Sequence, residues 1–146
     1  MTTTTAHAKP VPVPDEASAA FFDGALRSEL MLLRCRACAT FMSPTAYLGV
    51  PPRPRCLRCF SGDLEWAPSS GRATLYSFAI MHQLYDEAFA AEIPYNIAVV
   101  ETEEGVRLTS QVVDCPNERL EIGMALDVTF ERMSDEVAVP KFRPRS

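Results

Sequence analysis

The second half of the chain alternates apolar and polar residues over several short runs. In GMALDVTFER (123–132), Leu126, Val128 and Phe130 fall on one face of a strand, and the polar residues between them fall on the other. The run GRATLYSFAIMHQ (71–83) alternates in the same way. Its predicted core-facing side chains are Tyr76, Phe78 and Ile80. A period of two predicts half-buried antiparallel strands.

Two further segments complete the series of strands. PYNIAVVETEEGVRLTSQVVD (94–114) reads as two strands joined by the turn TEEG, and EVAVPKF (136–142) reads as the last strand. A longer connection spans residues 83–94. Four or five short antiparallel strands with one long connection are typical of a small OB-fold barrel. We therefore predict an OB-fold barrel over residues 67–146.

The N-terminal part of the chain has a different pattern. Residues 1–14 are rich in threonine and proline and are predicted to be a disordered tail. Residues 15–30, DEASAAFFDGALRSEL, predict a short helical segment that is broken near Gly24. Residues 31–66 contain short strand-like runs around cysteines and end at Trp66, which is placed to cap a small core. The predicted fold class is mainly β, with a helical segment, a cysteine-bearing ribbon and a barrel in that order.

Four of the five cysteines form two CxxC pairs in the segment 31–66. Cys35 and Cys38 form the first pair and Cys56 and Cys59 the second, with seventeen residues between the pairs. Two residues between ligands let a tight turn, here called a knuckle, direct both sulfurs at one point. The spacing therefore predicts a rubredoxin-like zinc ribbon. Because four thiolates leave no open coordination position, the predicted zinc is structural.

Other interpretations of the cysteines are weaker. Iron bound by the same four ligands remains an alternative. Two disulfides would need an oxidising compartment, and the N-terminus lacks the pattern of a secretory signal, so we expect a cytoplasmic protein with reduced thiols. A CxxC redox site would leave the second pair redundant. Glycine often follows the second cysteine of a knuckle, where the backbone can need a positive φ, but Ala39 and Phe60 stand there, which predicts strained knuckles.

Charge is distributed unevenly along the chain. The formal net charge is −5, but residues 27–60 sum to +5 and residues 61–139 to −11. The ribbon carries a set of arginines: Arg34, Arg36, Arg53, Arg55 and Arg58. A barrel that follows nucleic-acid phosphates should be basic. Nucleic-acid binding stays an alternative that the acidic barrel disfavours. No apolar run reaches the roughly 20 residues of a membrane-spanning helix.

Candidates for catalysis are few. The sequence contains neither a GxSxG motif nor a phosphate-binding glycine-rich loop. Cys115 stands alone in VVDCPNERL and is interpreted as a small buried or loop-edge residue. His82 follows the predicted strand at 71–81 and can be a general base, although an exposed strand-end histidine is the commoner case. We therefore do not expect catalysis by the isolated chain.

Several motifs give the chain a resemblance to a known family. LEWAPSSGRATLYSF (64–78), EEGVRLTSQVVD (103–114) and IGMALDVTFE (122–131) are the most specific of them. Together with the two CxxC pairs, they resemble a family of rubredoxin-like zinc-ribbon and OB-fold proteins. Its members were long classed as a domain of unknown function, and they accompany acyl-CoA enzymes. The resemblance covers residues 18–144, which is nearly the whole chain.

The resemblance implies an accessory subunit of an acyl-CoA-processing complex. Relatives form hetero-oligomers with thiolase-like proteins, including thiolases and retro-aldolases that shorten acyl-CoA side chains, and some accompany hydratases of the hot-dog fold. In such complexes the catalytic residues belong mainly to the partner. The ribbon and barrel then supply an interface and part of the acyl-CoA passage.

Two surfaces are candidates for that role. The arginines of the ribbon are expected to contact the phosphates of CoA or an acidic partner surface, although a solvated arginine face explains them equally well. The connection HQLYDEAFAAEIPY (82–95) is long for a barrel hairpin and is expected to dock a partner or to line a substrate channel. The residues expected to act in this loop are His82, Leu84, Tyr85 and Phe89.

Overall fold

The computed structural model describes residues 9–44 and 55–146. The described chain is mainly β, as predicted, and forms a small sheet followed by a larger one. It contains helix α1 (Ala19–Leu26) and the strands β1 (Met31–Cys35), β2 (Phe41–Met42), β3 (Leu64–Pro68), β4 (Arg72–Met81), β5 (Tyr95–Thr102), β6 (Arg107–Ser110), β7 (Ala125–Arg132) and β8 (Ala138–Pro144). Two 3-10 helices, at Glu87–Glu92 and Asn117–Arg119, lie in connections.

Helix α1 begins at a polar turn and continues through Gly24. The Asp15 carboxylate accepts from the Ser18 backbone N–H at 2.8 Å, and the Ser18 hydroxyl oxygen accepts from the Asp15 backbone N–H at 3.0 Å. The Ser18 hydroxyl also donates to this carboxylate at 2.8 Å, and that bond, followed by the bond from the Ser18 backbone N–H, holds the pKa of Asp15 below its ordinary value. The predicted break near Gly24 is wrong, because the glycine serves close packing instead. A Cβ there would overlap with Cγ of Met31.

The small sheet forms the ribbon. Its strands lie in the order β2-β1-β3, all antiparallel, so β1 is the central strand. Leu33, Met42 and the sulfurs of the buried cysteines form its core, and Trp66 packs against that core as the sequence predicts. The ribbon thus has a hydrophobic cluster of its own, small and built around cysteines.

The larger sheet curls into a barrel. Its strands lie in the order β6-β5-β4-β7-β8. The two outer strands meet where Val112 forms a parallel bridge with Phe142, and the Val113 N–H donates to the Phe142 carbonyl at 2.7 Å. The Ser110 hydroxyl adds a bond to the Pro140 carbonyl at 3.0 Å. This closure gives the OB-like architecture that the strand pattern predicts.

A β-bulge in β4 changes which residues of that strand face the core. Leu75 pairs with Val100 and Ser77 pairs with Val99, so Tyr76 is the additional residue. Leu75 is buried, whereas Tyr76 is 45% exposed. The Arg107 guanidinium stacks on the Tyr76 ring, with its carbon atom 3.8 Å from the ring centre. Beyond the bulge, Phe78 packs on the core. The prediction of Tyr76 as a core residue is therefore wrong, and that of Phe78 and Ile80 is confirmed.

A carboxylate joins the ribbon to the barrel. Glu104, in the turn between β5 and β6, accepts from the Ser69 hydroxyl at 2.7 Å and from the Ser70 backbone N–H at 2.8 Å. The Ser69 N–H in turn donates to the Leu30 carbonyl at 2.8 Å. Burial alone would raise the pKa of Glu104, but the serine hydrogen bonds outweigh it and lower the pKa. The segment that leaves the ribbon is thereby fixed to the barrel.

The extended N-terminal segment also contacts the barrel. The Lys9 ammonium pairs with the Glu92 carboxylate at 2.6 Å and lies 5.7 Å from the centre of the Phe89 ring. This pairing raises the pKa of Lys9. Among the described residues, no helix has the length and apolar composition needed to cross a bilayer.

Candidate metal centre and the surfaces around it

The four predicted cysteine ligands converge on one point. The sulfurs of Cys35, Cys38, Cys56 and Cys59 all lie within 4.8 Å of one another. The Cys35 and Cys59 sulfurs are 3.6 Å apart, and those of Cys38 and Cys56 are 3.5 Å apart. Four sulfurs at about 2.3 Å from a tetrahedral ion would be separated by about 3.8 Å. The four free thiols are therefore close enough together to hold a metal ion.

The two knuckles repeat one backbone pattern. The Ala39 N–H donates to the Cys35 carbonyl at 2.8 Å, and the Phe60 N–H donates to the Cys56 carbonyl at 3.0 Å. Ala39 has φ 64° and Phe60 has φ 63°, in the region that glycine tolerates best. The predicted strain at both knuckles is confirmed. Each turn thus holds a residue other than glycine in a backbone conformation that its residue type disfavours.

The surroundings favour thiolates at part of the site. The Thr40 hydroxyl, 3.1 Å from the Cys38 sulfur, is the main cause that lowers the pKa of Cys38 to about 6. Backbone N–H groups of Cys59 and Arg58 point at the Cys56 sulfur and lower the pKa of that thiol. For Cys59 the Ser61 backbone N–H lowers the pKa, but burial and the neighbouring cysteines outweigh it and raise the value to about 12. A cation at the centre would favour the deprotonated form of all four.

Two of the ribbon arginines are paired within the ribbon. Arg34 lies 3.3 Å from a Glu65 carboxylate oxygen, and Arg36 contacts both Glu65 at 3.3 Å and Asp63 at 3.1 Å. The bonds to Glu65 and then Asp63 raise the pKa of Arg36. The acidic residues just beyond the basic segment thus offset part of its charge.

The remaining arginines have other environments. Arg55 and Arg58 are exposed, and none of the ion pairs within residues 9–44 and 55–146 involves either of them. The Arg55 guanidinium donates to the Phe60 carbonyl at 3.1 Å. Arg53 lies outside the described residues.

The long connection between β4 and β5 presents an exposed tip on a fixed base. His82 is exposed directly after β4, Leu84 is 40% exposed and Tyr85 is 73% exposed. Asp86 begins the 3-10 helix by accepting from the Ala88 N–H at 2.9 Å. Phe89 instead packs inward, with its ring 5.8 Å from that of Tyr95.

A cavity opens between α1, the ribbon and the barrel. It has a volume of about 440 Å³. Its apolar lining includes Phe21, Phe22, Trp66, Leu108 and Phe142. Sequence reasoning missed this cavity, because its walls come from three separate segments.

Cys115 is half-buried at a loop edge, where its thiol contacts the Pro116 carbonyl at 3.5 Å, as predicted.

The fold and the four-cysteine site define a class of protein in which a metal-binding ribbon precedes an OB barrel. Residues 66–131 match the family described as "ChsH2, C-terminal OB-fold domain". A "DUF35 domain-containing scaffold protein" of Methanocaldococcus jannaschii is 33% identical over 107 residues, which cover 73% of this chain and 71% of that protein. The chain therefore belongs to the DUF35 family, and the family resemblance drawn from the sequence motifs is confirmed.

Two further similarities concern an aldolase and a hydratase subunit. The solved structure "Ltp2-ChsH2(DUF35) aldolase" contains a chain that is 32% identical, with a TM-score of 0.74, and the match covers 91% of this chain and 98% of that one. A "Probable enoyl-CoA hydratase alpha subunit" of Thermomonospora curvata is 33% identical over 136 residues, or 93% of this chain. This chain spans only 40% of the length of that hydratase subunit.

Proposed function

We propose that the chain is a non-catalytic accessory subunit of an acyl-CoA-processing complex, bound to a thiolase-like partner that carries out thiolytic or aldol cleavage. The observation that carries the proposal is the similarity to the DUF35 chain of the Ltp2-ChsH2 aldolase. That similarity covers 98% of the matched chain at 32% identity. A likeness that covers 91% of this chain and 98% of the matched one supports a comparable role in a hetero-oligomer.

The metal centre is assigned a structural role in this proposal. Zinc favours tetrahedral thiolate ligands, and its four positions would be filled by Cys35, Cys38, Cys56 and Cys59. A bound zinc would cross-link the two knuckles. Iron in the same ligand set would give the same cross-link, and metal analysis of the purified protein distinguishes the two.

The long loop that precedes β5 and the cavity beside the ribbon are assigned to assembly and to passage of the acyl-CoA. The exposed tip of the long loop, Leu84 and Tyr85 with His82 at its base, is proposed to contact the partner enzyme. Phe89 packs against Tyr95 at the base of the loop and thereby positions this tip. The cavity lined by Phe21, Phe22 and Leu108 is large enough to accept part of an acyl chain and supports a share in the acyl-CoA passage.

Coexpression tests the proposal. The chain is coexpressed with the thiolase-like protein encoded nearest to it in the same genome, and the complex is isolated by an affinity tag on the chain. We expect a stable hetero-oligomer that survives gel filtration. A chain that elutes by itself at micromolar concentration, in the presence of bound metal, would contradict the proposal.

A second candidate is an accessory role for a hot-dog-fold acyl-CoA hydratase. The similarity to the hydratase alpha subunit over 93% of this chain favours it. The same coexpression with a hydratase-type partner separates the two candidates, because each predicts retention of a different enzyme. Nucleic-acid binding is a weaker candidate, since two of the ribbon arginines are paired with carboxylates.

A further inference from the structure

The second knuckle carries two large apolar side chains in solvent. Leu57 is 74% exposed and Phe60 is 72% exposed, and only two intervening residues separate them on the turn that holds Cys56 and Cys59. Together they form what we call the knuckle tip. A side chain so exposed contributes little to the stability of the fold. The packing of the described chain therefore gives no reason for an aromatic residue at this position.

The backbone makes the aromatic residue still harder to explain by folding alone. Phe60 has φ 63°, where a side chain other than glycine costs about 1 kcal/mol or more. Ala39 occupies the equivalent place in the first knuckle at φ 64° without exposing a large apolar group. Strained residues persist at sites where function needs them. Phe60 combines strain with exposure, and Ala39 has strain alone.

The backbone of the knuckle tip is held by hydrogen bonds. The Phe60 N–H donates to the Cys56 carbonyl at 3.0 Å, and the Phe60 carbonyl accepts from the Arg55 guanidinium at 3.1 Å. The Cys56 N–H donates to the Ser61 carbonyl at 2.8 Å. A turn whose backbone is already fixed loses little backbone entropy when a partner covers it.

The charges around the knuckle tip indicate the kind of surface it fits. Arg55 precedes the apolar pair and Arg58 lies between its two members, and no carboxylate among the described residues pairs with either guanidinium. The arginines beside the first knuckle are, by contrast, paired with Asp63 and Glu65. The complementary surface is an apolar pocket with carboxylates at its rim.

We propose that Leu57 and Phe60 form the central anchor by which the ribbon docks into an apolar, acid-rimmed pocket of the partner enzyme. The inference rests on the proposed function, since it assigns a surface of this chain to that partner. The Phe60 side chain enters the pocket. Arg58 and Arg55 pair with the carboxylates at the rim.

The test uses two substitutions that relieve the same strain. Phe60→Gly removes the aromatic ring at a positive φ that glycine accepts, so it should raise the thermal midpoint while weakening partner binding at least about tenfold. Ala39→Gly relieves the equivalent strain and should raise the midpoint without changing binding. Binding is measured by calorimetry between the full-length, metal-loaded chain and the thiolase-like protein used for coexpression.

Further variants keep the outcome independent of folding. Phe60→Tyr retains the ring and should bind within about threefold of the unchanged chain, and Leu57→Ser should weaken binding at an ordinary backbone conformation. Ile122→Ser, on a barrel turn with 69% exposure, serves as the control and should leave binding unchanged.

Binding of Phe60→Gly and Leu57→Ser within twofold of the unchanged chain overturns the inference. Loss of self-association rather than partner binding also overturns it, in favour of a second copy as occupant. Failure of the unchanged chain to bind any partner instead refutes the proposed function itself.

Discussion

Ala39 and Phe60 show how one residue position can be predicted from a local pattern while its role cannot. Both follow the second cysteine of a knuckle, and both take a positive φ as the spacing predicts. The sulfur site is predictable for the same reason, because two residues between ligands fix the turn. The exposure of Phe60 is not predictable, since it depends on what the rest of the fold leaves uncovered.

Loss of one cysteine tests the structural role of the metal. Cys56 is fully buried in the ribbon cluster, so Cys56→Ala should release the metal and unfold the ribbon. Trp66 is the single tryptophan of the chain and packs on that cluster, so its fluorescence reports the ribbon. We expect a red-shifted, exposed tryptophan with most β-sheet circular dichroism retained, because the larger sheet supplies most of a second core cluster, which Leu30 and Leu32 also join.

The control for this substitution is Cys115→Ala, which alters the cysteine that lies outside the four-sulfur cluster. It should keep the metal and the native fluorescence. A Cys56→Ala protein that still binds one metal per chain and retains native Trp66 emission would contradict a structural four-cysteine site.

The exposed arginines of the second knuckle can be tested with CoA itself. Arg55 and Arg58 have no carboxylate partner among the described residues, so CoA phosphates are the alternative to the acidic rim of a partner pocket. The CoA alternative predicts that Arg55→Ser with Arg58→Ser weakens CoA binding to the complex about tenfold, as measured by calorimetry. The paired Arg34, changed to Ser, is the matched control and should have a smaller effect. Equal CoA affinity in all three proteins removes the CoA contact.

At the scale of elements, alternation predicts strands well but does not predict where a strand changes phase. In β7, Leu126, Val128 and Phe130 face the barrel core, as predicted. In β4 the bulge at Tyr76 shifts the pattern by one residue, and no turn residue in the sequence marks it. The predicted helix break near Gly24 is wrong for a related reason, because the close approach of Gly24 to Met31 is a tertiary contact.

The joint between ribbon and barrel gives a prediction for these elements. Glu104→Ala removes the acceptor of the Ser69 and Ser70 bonds and should lower the free energy of unfolding by about 1 to 2 kcal/mol at pH 7. Glu103→Ala, beside it and exposed, should change stability far less. Urea unfolding followed by circular dichroism measures both.

The pH dependence of this effect has a fixed sign. The folded chain lowers the pKa of Glu104, so its contribution is complete above the unfolded pKa of about 4.3 and is lost as the pH falls through the lower folded value. The stability difference between the unchanged chain and Glu104→Ala should therefore shrink from pH 7 to pH 3. Protonation of the thiols affects both proteins and cancels in the difference. A difference that grows towards acid pH would contradict the assignment.

At the scale of the whole molecule, charge summed along the sequence differs from charge arranged in space. The segments 27–60 and 61–139 have opposite net charges, yet part of that contrast is neutralised between β1 and β3. Within the described part of the segment 27–60, the arginines without a carboxylate partner are Arg55 and Arg58 of the second knuckle. This arrangement, together with the cavity of about 440 Å³ beside the ribbon, follows from tertiary contacts that the sequence does not display.

The most direct test of the accessory role is a turnover measurement with separated and combined proteins. The chain alone, the thiolase-like partner alone and their equimolar mixture are assayed for carbon–carbon cleavage of an acyl-CoA by following release of the shortened product. The account predicts no turnover by the chain alone and full activity only in the mixture, with the activity eluting as a hetero-oligomer. Turnover by the metal-loaded chain in the absence of any partner would contradict it.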